Sequence, residues 1–385
     1  MRTTDVLMYV EDPGAANYVA PLPVALAERG WRVTLVADEA AQMHLRQRGI
    51  TVESVPDGVG AEELLRACAP RVLVVGTSEN PDTIGLSLIG QGRAQGIETV
   101  GIVDGPASAA HRFRGRRAHP LAHAPDWLVV VDERTKADYV ALGFPAARAI
   151  VCGHPQYDYL RTLRRKLVSE PRLAVRRRLL PHVPPDRAMI VFLAEVSTGL
   201  DAKEYQRSPD YTLTGRGAQH ERTAVVFEEV LDALEVIQPR PYVVLRLHPK
   251  NAVEDFAPYR GACDAVSAGG QPYELVYAAD LVVGMTTMLL VEAALLGCSV
   301  LSVVPRAVER AWLPQLADDL VLCVTTRGAL RRALAERLGH ALVKRPATSP
   351  DPGEPSAVSR VVDLLAALLA GSQRRQREAM AGWSR

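Results

Sequence analysis

Two short polar clusters hold the residue types that could do chemistry. In YVVLRLHPKN the apolar run Tyr242–Leu247 leads into His248, Pro249 and Lys250. Pro249 fixes its own φ and restricts His248 to extended backbone, so the imidazole is held at a strand end. Arg246 has the same strand parity as His248 and so falls on its face. An imidazole between two cations suits a phosphate, gripped by charge-assisted hydrogen bonds. Further on, Leu281–Val283 runs into Gly284-Met285-Thr286-Thr287 and then a helix. Thr286 and Thr287 can give hydroxyl and backbone N–H bonds to a phosphate there. A plain N-cap is the other reading, and one threonine alone could supply it. Glu292, in the second turn of an otherwise apolar helix, is either on an exposed face or turned to a ligand, where a ribose diol would meet it.

The first half of the chain offers two weaker clusters. Glu11-Asp12-Pro13-Gly14-Ala15-Ala16-Asn17 follows the first strand and is expected to be a loop, with a helix opening at Tyr18. Its small residues let backbone N–H groups approach a ligand, and Asp12 or Asn17 could bond a hydroxyl or merely cap the turn. The loop lacks the further glycines of a dinucleotide fingerprint. Gly101-Ile102-Val103-Asp104-Gly105-Pro106 ends a later strand, which places Asp104 on a rigid turn. A carboxylate so placed suits a general base within reach of a hydroxyl, and an Asp-Gly turn without chemistry is the alternative. Metal-ligand spacings, CxxC pairs, GxSxG and phosphate-loop motifs are absent, so metal-independent chemistry is expected.

The elements that position these residues alternate in type. Strand-like runs at Val6–Val10, Arg32–Ala37, Thr51–Val55, Arg71–Gly76, Glu98–Val103 and Trp127–Asp132 are separated by helical patterns. A second alternation runs through Ala188–Leu193, Tyr242–Leu247, Asp280–Val283, Ser299–Val303 and Leu320–Val324. Such βα alternation predicts open parallel sheets covered on both faces by helices, with ligands beyond the carboxyl ends of the strands. The expected domains are 1–155, 156–355 and a C-terminal helix within 356–385 that crosses back to the first domain or caps the second. Two segments read as loops, Pro346–Pro355 and the long aperiodic stretch Ser197–Arg222, the latter long enough to be functional, as a flap over a ligand.

Composition excludes several classes. The chain has 385 residues, 48% apolar and 23% charged, which is globular. Its 45 Lys+Arg balance 44 Asp+Glu for a net charge of +1, so nucleic acid is not an expected partner. The basic runs Arg112–Arg117 and Arg172–Arg178 are read as solvated faces. Five scattered cysteines suggest no disulfide framework and a reducing cytoplasm. The apolar run Val361–Ala370 contains Asp363 and is too short to span a bilayer. Peripheral membrane contact and a homodimer stay open.

Three segments together resemble one superfamily. GHPQYDYL resembles the hinge that joins the domains of GT-B enzymes, a group holding UDP-N-acetylglucosamine 2-epimerases, Kdo transferases and CDP-glycerol glycerophosphotransferases. LRLHPK resembles the His-Pro motif of CDP-glycerol transferases, capsule-type Kdo transferases and several bacterial sialyltransferases. GMTTMLLVEAALLGCSVLSVVP resembles the donor-binding segment shared by these groups, with Ser299 in place of the usual proline. The resemblance implies a GT-B fold, two Rossmann-like doubly wound domains facing across a cleft, with the acceptor held by the first and the nucleotide donor by the second. It implies a glycosyltransferase using a CMP-, CDP- or UDP-linked sugar and a small-molecule or glycan acceptor, with no separate cofactor. By position, Asp104-Gly105 is similar to the site of the base. His248 would bind the donor phosphate with Arg246 or Lys250, Thr286 and Thr287 would assist, and Glu292 would hold the ribose. Asp12, Gly14, Asn17 and Gly105 would line the acceptor side. A nucleotide-sugar epimerase or hydrolase, a glycerophosphotransferase-like enzyme and a non-catalytic binding protein are the alternatives. EDPGAAN and IVDGP depart from the first-loop and His-x-Glu-x-Gly residues expected of a hydrolysing epimerase.

Overall fold

The structure is a computed structural model that describes residues 4–54, 58–76, 79–196, 205–339 and 356–383. The expected loop Pro346–Pro355 and the first part of the long loop, 197–204, lie outside the described residues. Two compact units emerge, Met1–Asp158 with Asp351–Arg385, and Tyr159–Pro350.

The first unit is built on strands β1 (Val6–Val10), β2 (Val33–Ala37), β3 (Glu53–Ser54), β4 (Val72–Gly76), β5 (Glu98–Val103), β6 (Trp127–Val130) and β7 (Ala149–Val151). They form one parallel sheet in the order β3-β2-β1-β4-β5-β6-β7. Every residue of β1 and β4 is buried, as a central strand covered on both faces must be. One face packs against Ala16, Val19, Leu22 and Leu26 from the helices after β1, and the other against Leu64, Leu65, Leu88 and Ile89. The C-terminal helix Ala357–Trp383 completes the first of these layers. Its Val361, Val362, Leu365, Leu368 and Leu369 recur at helical spacing and make one apolar stripe. Polar ties hold the helix in register: Arg360 Nε donates to the Cys152 carbonyl at 2.9 Å, and Arg29 pairs with Asp363 at 2.6 Å.

The second unit contains β8 (Met189–Leu193), β9 (Tyr242–Arg246), β10 (Ala265–Ser267), β11 (Leu281–Gly284), β12 (Val300–Val303) and β13 (Leu322–Val324). All pair in parallel, in the order β10-β9-β8-β11-β12-β13. Phe227 and Val230 from helix Arg222–Leu234, with Leu330 and Leu334 from helix Arg327–Gly339, pack on Ile190, Phe192, Val243 and Val283. The described part of the long loop is held down. Gln206 bridges Glu221, and Thr212 donates its N–H and hydroxyl to the Pro305 carbonyl at 2.8 and 2.7 Å.

Three details correct the sequence expectations. The helix after β1 begins at Pro13 rather than Tyr18, so Gly14 and Asn17 are helical and not loop residues. Proline at the first helical position is pre-organised for this, since its missing N–H would have no partner there anyway. Strand β10 was not anticipated, because Ala-Val-Ser is too short to show a period. The basic runs are not simply solvated. Arg112 pairs with Asp104, and Arg176 donates to the Ala278 carbonyl and to Asp280, both guanidiniums being largely buried.

Candidate functional site

The strand order reverses direction between β8 and β11, which is the point where doubly wound sheets open a crevice for ligands. Glu195 leaves β8 there, and the Gly284-Met285-Thr286-Thr287 turn leaves β11. Glu195 Oε1 accepts the backbone N–H groups of Met285, Thr286 and Thr287 at 3.1, 2.6 and 2.7 Å. Its Oε2 accepts the Thr286 hydroxyl at 3.0 Å and Arg222 Nη1 at 2.8 Å. The turn thus binds an anion, and that anion is a side chain of the same unit. Thr287 also caps the following helix, its hydroxyl accepting from Leu289 N–H at 3.3 Å.

Behind Glu195 lies an ion cluster. Arg222, 1% exposed, reaches Glu309 at 2.6 Å as well as Glu195, and Arg306 reaches Glu309 at 2.7 Å. Both guanidiniums stack over Trp312, at 5.2 and 5.6 Å from the ring centroid. Burial alone would pull the Arg222 pKa down, but the charges of Glu195 and Glu309 outweigh it and raise it.

On the other side of β8, Ala194 N–H donates to the Arg246 carbonyl at 2.9 Å, so the ends of β8 and β9 run together. Arg246 is only 7% exposed, and its guanidinium donates to Ser267 Oγ at 3.0 Å and the Gly270 carbonyl at 2.7 Å. Both partners are neutral, and burial lowers its pKa with no charge opposing it. Arg176 and Arg222 are the other buried arginines among the described residues, and each has a carboxylate. Arg246 has none among them. His248 is half-buried at the same strand end. Its Nδ1 accepts Lys250 N–H at 3.1 Å, which leaves Nε2 as the proton-bearing nitrogen. Lys250 itself is exposed. Glu292 is 5% exposed, so the reading that put it on a solvated helix face is overturned. Its helix is otherwise apolar and packs against β11 and β12.

In the first unit Asp104 follows β5, and its Oδ1 pairs with Arg112 Nη1 at 2.7 Å, the two side chains being 13% and 11% exposed. Its other oxygen lies against Gly14, where a Cβ would come within 2.0 Å of it. Only glycine fits the first helix at that point. Gly105 is buried beside it. Asn17 Oδ1 accepts from His44 Nε2 at 2.8 Å and Arg48 Nη1 at 2.5 Å, and the Asp12 side chain makes no capping bond. His154, from GHPQYDYL, is 3% exposed and lies between Tyr18 and Tyr157, with ring centroids at 4.8 and 5.0 Å. Burial depresses its pKa to about 4, against the pull of Asp104. At the reversal between β1 and β4, Tyr9, Glu11, Asp38, Asn80, Asp82 and Thr83 line an acidic depression.

Sequence reasoning missed Glu195, Arg222 and Glu309. The one available signal was an acid two residues after the apolar strand MIVFL. Among the described residues no three His, Cys, Asp or Glu side chains come together as a metal site, and no helix is long and apolar enough to cross a membrane.

Two Rossmann-like parallel sheets of seven and six strands in tandem define the GT-B fold. Solved structures of similar fold include the UDP-GlcNAc 2-epimerase of Neisseria meningitidis bound to UDP-GlcNAc, with a TM-score of 0.64 and 15% identity over 94% of this chain and 100% of that one. The UDP-GlcNAc 2-epimerase of Methanocaldococcus jannaschii in complex with UDP-GlcNAc and UDP gives a TM-score of 0.64 and 13% identity, covering 94% and 99%. The wall teichoic acid polymerase TagF gives 0.52 and 15%, covering 96% and 90%. No protein-family model matches the chain, and no curated protein matches it in sequence.

Proposed function

We propose that the chain is a GT-B glycosyltransferase that moves a sugar from a nucleotide-activated donor to an acceptor hydroxyl. The carrying observation is Arg246, a buried guanidinium whose partners among the described residues are neutral, while the other buried arginines there have carboxylates. Burying an unbalanced charge costs several kcal/mol unless something supplies the opposite sign. At the carboxyl edge of a doubly wound sheet, beside His248, the fitting counter-charge is a ligand phosphate.

In the proposed mechanism the donor diphosphate or phosphate lies against Arg246 and the His248 Nε2–H, with exposed Lys250 adding charge. These donors stabilise the leaving phosphate as its negative charge grows while the acceptor oxygen attacks the anomeric carbon. Backbone N–H groups of the Thr286-Thr287 turn complete the seat once Glu195 releases them, and Glu292 meets the ribose. No step is assigned to a metal. Asp104 is the proposed base, with Asp12, Asn17 and the close Gly14–Asp104 contact shaping the acceptor side. To take a proton, Asp104 must first give up its 2.7 Å pair with Arg112. The unpaired thiols fit a reducing compartment, the cytoplasm.

Two other readings have an observation each. The epimerases of similar fold favour a donor that is converted without an acceptor. The Asp104–Arg112 pair favours a binding protein in which that carboxylate does no chemistry. Donor-consumption assays with CMP-, CDP- and UDP-linked sugars separate them. Release of nucleotide only when a glycan or small-molecule acceptor is present is expected. Consumption without acceptor would show an epimerase or hydrolase, and binding without consumption would show a binding protein.

A further inference from the structure

The Thr286-Thr287 turn already holds an anion, and the way it does so carries a proposal that rests on the phosphate reading above. We infer that Glu195 is an internal counter-ion that fills the phosphate seat of the second unit, and that an incoming phosphate exchanges with it. Its carboxylate takes three backbone N–H groups, a hydroxyl and a guanidinium, all donors and no acceptor. Phosphate oxygens accept from the same kinds of group.

Helix capping does not explain the contact, because the Thr287 hydroxyl already supplies the cap. Charge supports exchange over simple addition. Among the described residues Arg222 pairs with Glu195 and Glu309, and Arg306 pairs with Glu309. Removing the Glu195 charge leaves one positive charge uncovered, and a phosphate restores the balance. The independent observation is Arg246 on the adjoining strand end, an unbalanced buried cation joined to Glu195's own segment by the Ala194–Arg246 backbone bond. The consequence is self-competition: the seat is available for only part of the time, and apparent affinity for a phosphate falls by that fraction.

The test compares full-length wild type with Glu195→Ala and Glu195→Gln, using inorganic pyrophosphate as the probe in thermal-shift and calorimetric titrations. Without pyrophosphate Glu195→Ala should melt below wild type. With it, the variant should gain more melting temperature than wild type and bind about tenfold tighter or better, the factor by which a seat open one-tenth of the time is masked. Adding Thr286→Val should remove that gain. Glu195→Gln keeps the side chain's shape and should show the same tightening if the alanine variant does not fold. Equal pyrophosphate affinity in all three proteins, or none in any, overturns the proposal. Tight pyrophosphate binding by the variants with no response to CMP, CDP or UDP would support the exchange and overturn the nucleotide-sugar reading instead.

Discussion

At the scale of single residues, the second unit contrasts two buried arginines. Arg222 lies between Glu195 and Glu309, so Arg222→Met takes the cation from Glu195 and leaves Glu309 with Arg306. Breaking a buried pair this way costs about 3–5 kcal/mol, readable as a lower denaturant midpoint. Among the described residues Arg246 has only neutral partners. Arg246→Met should leave stability unchanged or raise it while abolishing anion binding, and a loss comparable to that of Arg222→Met would show a structural role instead. His248→Ala should lower turnover ~10²-fold if the imidazole stabilises the leaving phosphate. His154 gives a pH signature. Burial holds its folded pKa at about 4, below the ordinary imidazole value of 6.5, so the folded state refuses a proton that the unfolded state takes. Stability is therefore full above pH 6.5 and falls as pH drops toward 4. His154→Asn, whose Oδ1 can still accept the Gln156 N–H, should flatten that part of a melting-temperature profile. An unchanged slope would contradict the assignment. Arg246 and His248 could be picked out in the sequence because polar residues ending an apolar strand stand out. Glu195 also follows an apolar strand, but the partners that give it a role lie 27 and 91 residues away, at Arg222 and Thr286. Arg112 was misread, since a run of like charges looks solvated until one member finds an acid.

At the scale of elements, the parallel strands were legible because both faces are buried and the sequence shows continuous apolar runs. Exact helix starts were not, because Pro13 and Gly14 look like turn residues out of context. Gly14 is also where element and site meet. Alanine is the better helix former by about 1 kcal/mol, yet its Cβ would come within 2.0 Å of the Asp104 carboxylate. Gly14→Ala should therefore lower the melting temperature, and in an Asp104→Ala background the penalty should shrink or reverse. An equal penalty in both backgrounds would place the strain elsewhere. The C-terminal helix was recognisable from its apolar stripe, and Leu365 is wholly buried in the first unit's core. Leu365→Ala should cost about 2–5 kcal/mol by the cavity it leaves.

At the scale of the whole molecule, the βα alternation was enough to indicate two doubly wound units. The strand order within each sheet became visible only in the structure, because parallel pairing joins segments that are far apart in sequence. Likeness to solved GT-B structures persists at 13–16% identity. That is expected of a fold set by which positions are buried more than by which residue fills them. Chemistry is not carried by fold in this way, and it depends on the side chains at the strand ends. The central claim is that the second unit binds the phosphate of a nucleotide at Arg246 and His248. A thermal-shift panel of CMP, CDP, UMP, UDP, dTDP and GDP tests it most directly, since a ligand that binds only the folded state raises the melting temperature. One base's nucleotides should stabilise the wild type, and that stabilisation should be lost in both Arg246→Met and His248→Ala. Stabilisation that survives both substitutions, or none from any nucleotide, would contradict it.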